Sequence, residues 1–183
     1  MKTRIISSVL MCLSVSLLMT ACKKDAHSPN DEGELITTVK LTFTEGNNLP
    51  SSFTWKDIDG PGGNNPEIQT ISLKPNTSYS VKAEFLNEQK NPAEDITEEI
   101  LEEANDHEVF YQTSNNFLTI TRTDLDTNTP HLPLGLESTW ATQSLATGSI
   151  KVILKHKPGT KAAGDPATKG ETDIEVNFPL EIK

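Results

Sequence analysis

The sequence predicts an all-β domain, an antiparallel two-sheet sandwich of immunoglobulin-like type, with a lipocalin-like closed barrel as the alternative. Three observations carry the prediction. Eight or nine short segments alternate apolar with polar residues, turn residues separate nearly all of them, and two tryptophans are available for one core. Strand number alone does not fix closure, so both architectures stand. No internal repeat is long enough to suggest a solenoid or a propeller.

Residues 35–44 alternate strictly, with Leu35, Val39, Leu41 and Phe43 on one face and Thr38, Lys40 and Thr42 on the other. Turn chemistry at 45–48 leads to residues 52–57, where Phe53 and Trp55 share a face, so the two segments pair as a hairpin. Residues 68–73 read as one short strand. Pro75 stands at the second position of the turn that follows, and residues 78–87 then place Tyr79, Val81, Ala83 and Phe85 on a buried face.

Residues 94–108 carry two opposed signals. Ile96, Ile100, Leu101 and Ala104 fit a helical stripe. Against it, Glu98 with Glu102 and Glu99 with Glu103 are like-charge i,i+4 pairs costing a few tenths of a kcal/mol each, and acids in a last turn oppose the helix dipole. The balance favours a strand. Residues 107–112 bring Val109 and Tyr111 to one face with Phe110 opposite, residues 117–122 form another strand, and 124–135 are loop.

The clearest strands come last: 137–142 around Trp140, 148–157 with Ile150, Val152 and Leu154, and 171–182 with Ile174, Val176, Phe178, Leu180 and Ile182. Pro179 lacks a backbone donor, so the last strand is an edge or its partner is missing at that point. The connection at 158–170, rich in Gly, Ala and Thr, reads as a mobile loop.

Compartment is written at the other terminus. Lys2 and Arg4 precede an apolar run over 5–18, and Met19-Thr20-Ala21-Cys22 reads as a lipobox, with small Ala21 before the cut and the Cys22 thiol available to carry the lipid. Cys12 is a poorer acceptor, because Leu10 and Met11 put no small residue before it. The run is about 15 residues, short of the roughly 18 to 20 that span a bilayer. Residues 1–21 are therefore the expected signal peptide, 22–33 a polar lipid-anchored tether, and 34–183 one β-sandwich domain. Each buried acyl methylene adds about 0.8 kcal/mol, so more than one chain holds the protein stably on its membrane.

Removing residues 1–21 leaves 162 residues with 14 basic side chains against 26 acidic, a formal net charge of −12. That charge disfavours nucleic acid and anionic headgroups as partners. With Cys12 removed and Cys22 acylated, no thiol remains for a disulfide, a thiolate metal site or a nucleophile. Nor do a GxSxG elbow, an HExxH, a P-loop or a dinucleotide fingerprint occur.

Two kinds of cation site are readable. The loop from Asp57 through Asp59 to Glu67 combines carboxylates, amides and glycine-freed carbonyls, the oxygen-rich set that calcium prefers. It departs from an EF-hand at Pro61 and Ile68, and the alternative is an inter-strand loop whose Asp and Asn bond their own backbone. The Asp124-Leu125-Asp126-Thr127-Asn128 run starts in a similar way, with Thr129 in the glycine's place. Of the four histidines, His27 lies in the tether and His131 in a proline-flanked loop. His107 opens one strand and His156 closes another, so they converge as transition-metal ligands if those strands are neighbours; the alternative is packing at strand ends.

At WKDIDGPGGNNPEI, EFLNEQKNPAEDITEEI, NDHEVFY, ILKHKPG and ETDIEVNFPLEI the chain resembles a family of small envelope lipoproteins of Bacteroidota, over about residues 35–182. The resemblance implies a Gram-negative envelope, with the outer membrane as the expected site, and supplies no catalytic residues. The expected function is a lipid-anchored binding or accessory module without catalytic activity, acting on an envelope protein or small ligand near the membrane. The alternative is a lipoprotein that binds Ca²⁺ or Zn²⁺.

Overall fold

In the computed structural model, residues 35–183 are described, and they form two packed sheets. The expected Cys22 anchor and the tether with His27 lie outside the described residues. The strands are β1 (Thr38–Thr44), β2 (Ser51–Lys56), β3 (Glu67–Ile68), β4 (Ile71–Leu73), β5 (Ser78–Asn87) and β6 (Glu94–Asp95). After helix α1 (Ile96–Glu102) come β7 (His107–Thr113), β8 (Leu118–Arg122), β9 (Glu137–Thr142), β10 (Ala146–His156) and β11 (Glu171–Ile182).

One sheet runs β3-β2-β1-β5-β9-β8 with β6 also on β5, and the other runs β4-β11-β10-β7. The barrel is not formed. The strand order is that of an immunoglobulin-like sandwich: β5, β9 and β8 stand side by side in one sheet and β7, β10 and β11 in the other, in the B-E-D and C-F-G places. Every pairing is antiparallel except β4 with β11.

Alternation puts Val39, Leu41, Phe43, Val81 and Phe85 from one sheet against Ile150, Val152, Phe178 and Leu180 from the other, each at most 2% exposed. Trp140 is fully buried, with the Phe43 and Tyr111 rings edge-on to it at 5.1 and 5.4 Å. Leu35 is a correction. It precedes the strand and is 43% exposed, while the strand starts at Thr38.

The expected strand at 68–73 is divided. Ile68 pairs with Trp55 in one sheet, whereas Ile71 pairs with Leu180 in the other, so Gln69 and Thr70 carry the chain across the sandwich. β11 is not an edge over its whole length, but β4 begins beside it only at Leu180. Pro179 pairs with Ser149 of β10 alone, so its missing donor costs no ladder bond on the β4 side.

The strand expected at 94–108 is overturned over most of its length, because residues 96–102 form α1 and 103–106 a turn. Asp95 caps it by accepting the Thr97 N–H at 3.0 Å, an interaction of about 1 kcal/mol. The Thr97 hydroxyl accepts the Phe85 N–H at 2.9 Å and docks the helix on β5. Ile96 and Ile100 are buried, and each contributes roughly 1.5–3 kcal/mol, several times the repulsion of the exposed glutamates. Glu98 and Glu99 sit in the first turn, where the dipole favours them. No helix among the described residues is long and apolar enough to cross a membrane.

Ile100→Ala should therefore lower stability by about 2–5 kcal/mol in urea unfolding, and Leu101→Ala, at a 55% exposed position, by no more than about 0.5. Equal losses at the two positions would contradict this packing of α1.

Candidate metal centre

β7 and β10 are neighbours, and their register sets Ile150 opposite Thr113, Val152 opposite Tyr111, Leu154 opposite Val109 and finally His156 opposite His107. The parity that turns Val109 and Leu154 into the core carries both imidazoles to the same face at the strand ends. There they stack, with ring centroids 4.6 Å apart and planes 9° apart. The two sequence-predicted histidines are thus brought together.

A third group, missed in the sequence, comes from the end of α1. The Glu103 carbonyl accepts the Asp106 N–H at 2.8 Å and the His107 N–H at 3.2 Å, a tight turn that stacks helix end on strand start. The same carbonyl lies 3.2 Å from His107 Nδ1, and the Glu103 carboxylate lies 3.9 Å from that nitrogen. One ligand atom from each of Glu103, His107 and His156 falls within 4.8 Å of the others. The Glu-x-x-x-His spacing of Glu103 and His107 is the signal in the sequence that points to it.

Burial differs along this set. The His107 side chain is 10% exposed and Glu103 48% exposed, with His156 between buried and open. Burial lowers the His107 pKa from its ordinary 6.5, the positive form of His156 lowers it further, and the Glu103 carbonyl, Asp106 and Glu99 oppose the shift. Glu94, Asp95, Glu98, Glu99, Glu102 and Glu103 line a groove of about 430 Å³ beside it, which favours cations electrostatically.

The other expected cation residues are arranged differently. Asp59 Oδ2 accepts both the Asn64 N–H at 2.8 Å and its side-chain amide at 2.6 Å, so its carboxylate organises the loop; the backbone bond from Asn64 is also the main cause of its lowered pKa. Glu67 is exposed on β3 opposite Lys56, and Asp57 Oδ1 is buried without a hydrogen-bond partner. Among the described residues, Asp57, Asp59 and Glu67 do not gather into a three-ligand cluster. The Asp124 carboxylate accepts the Gly135 and Leu136 N–H groups, each at 2.8 Å. Asp126 accepts the Leu132 N–H at 2.8 Å and pairs with Lys161 at 3.0 Å. Those carboxylates hold a loop.

The same end of the sandwich is laced by buried charge. Glu108 bridges Lys157, at 2.6 Å, and Arg122, and both cations lie over the Phe110 ring. Lys157 is fully buried, and its own N–H bonds the Asp106 carbonyl. Lys161 and Asp126 have side chains at most 1% exposed. Burial alone would raise the Asp126 pKa, yet the Leu132 N–H and the Lys161 ammonium hold it below 3.8. The 158–170 connection, expected to be mobile, is fastened by the Gly159 N–H, which donates to the Asp106 carboxylate at 2.8 Å, and by Lys161 Nζ, which donates to the Ala104 carbonyl at 2.8 Å. Gly170 closes it: at φ +84° a Cβ there would lie 2.6 Å from the His156 carbonyl oxygen.

Comparison with family models, with curated proteins and with solved structures gives no match.

Because the fold lowers the His107 pKa, the unfolded chain takes up its proton first as the pH drops. The His107 contribution should be complete above about pH 6.5 and erode as the pH falls below it. With chelator present, melting temperatures from pH 8 to 5 should fall less steeply in His107→Gln than in the wild type. Superimposable slopes would remove this linkage.

Proposed function

We propose that the protein is a lipid-anchored binding or accessory module of the cell envelope, without catalytic activity, that presents one end of its sandwich to a partner protein close to the membrane. The lipobox ending at Cys22 and the resemblance to Bacteroidota envelope lipoproteins support the location. The observation that carries the binding reading is the ion-pair lacing of that end by Glu108, Lys157, Arg122, Asp126 and Lys161.

Buried ion pairs add little stability over apolar packing of the same volume, so stability alone is a weak reason for them. Their directional geometry fixes the 124–135 and 158–170 loops against each other and against β7. A surface fixed in advance loses less entropy when it binds. The register puts the start of β1 at this same end, together with the ends of β5 and β10 and the start of β7. The opposite end carries the hairpin tips with Leu49 and Leu145.

Photo-crosslinking residues placed at exposed Thr127 or Thr160 should yield a discrete adduct in intact cells of the natural host, and the same residues at Leu49 or Leu145 should not. Adducts only at the Leu49 and Leu145 tips, or none at either end, would sink the proposal.

A further inference from the structure

We propose that Glu103, His107 and His156 form a three-ligand site for zinc or a divalent metal of similar softness. The inference is independent of the partner-binding reading above. Two imidazoles and one carboxylate are the donor set that zinc accepts, whereas calcium and magnesium want oxygen throughout. The three residues come from three different elements: the C-cap of α1, the first residue of β7 and the last of β10. Glu103 and His107 meet through a local turn, and the pairing of β7 with β10 brings His156 to them.

The geometry also says what must move. Ligand atoms around a tetrahedral zinc at its usual bond lengths stand about 3.3 Å apart, and here they lie within 4.8 Å of one another. Two nearly parallel rings direct their nitrogen lone pairs side by side, so one ring must turn for both to meet one ion. His107 is the fixed member, since its ring is buried and Nδ1 lies 3.2 Å from the Glu103 carbonyl. With Nδ1 donating there, the bond sets the tautomer and leaves Nε2 as the ligand, so the Glu103 carboxylate, now 3.9 Å from Nδ1, must swing to the Nε2 side. Glu103, half exposed, and His156, partly exposed, are less enclosed by packing than His107.

A zinc site at this place would tie α1 to β7 and β10 at the end where the loops are fastened. The competing use of the same residues is packing: two imidazoles stacked at a strand end, with Glu103 in solvent.

The test is a titration of the full-length protein with zinc chloride against a chromophoric chelator, followed by imidazole proton resonances. The proposal expects one equivalent bound, with the His107 and His156 ring signals shifting together as the stack opens. Glu103→Gln and His156→Gln, at positions open enough to spare the core, should each weaken binding at least about tenfold, while Asp59→Asn leaves it unchanged. Excess calcium should not compete. No zinc bound, or zinc bound equally well by both variants, would overturn the site and leave the stack as packing.

Discussion

The backbone pairing of β7 with β10 sets His107 against His156, and the same register sets Val109 against Leu154 and Tyr111 against Val152. A slip of one residue would send every one of these side chains to the opposite face of its strand. The core therefore enforces the site: Val109, Val152 and Leu154 are at most 1% exposed, and a misregister would trade them for Glu108, Lys151 and Lys155.

Beyond the last core pair the chemistry changes from apolar to ionic. Glu108, next to His107, takes Lys157, next to His156, so the two strand ends are joined by a stacked pair and a buried ion pair on successive residues. Arg122 brings β8 of the other sheet to the same carboxylate. Through Lys161 and Asp126 the long connection after β10 is joined to the loop before β9. One end is thus organised by charge and the interior by shape. The order of dependence is clear, because the ion pairs can form only after the register has placed their strands.

Much of the architecture was legible because it rests on local alternation. β5, β9 and the later half of β11 show period-two burial, and the β1–β2 hairpin is announced by Gly46 and Asn47. The same periodicity picked out His107 and His156 as ends of strands, although their adjacency had to wait for the pairing. What could not be read locally failed for physical reasons. α1 owes its state to Asp95, Thr97 and the burial of Ile100 against the rest of the fold, which outweigh a visible run of like charges. The 68–73 segment looks continuous, and only the two sheets reveal that it crosses between them. The ion pairs of Lys157, at the end of its expected strand, and of Lys161, in the expected loop, leave no local trace, because their acidic partners lie 49 and 35 residues earlier in the chain.

The most direct check is the nuclear Overhauser spectrum of the imidazole ring protons in the protein without added metal. Rings 4.6 Å apart and nearly parallel should give strong cross-peaks between His107 and His156, along with cross-strand contacts between Val109 and Leu154. If the ring cross-peaks are absent while the Val109 to Leu154 contacts remain, the two histidines do not meet, and the account of this end of the domain is wrong.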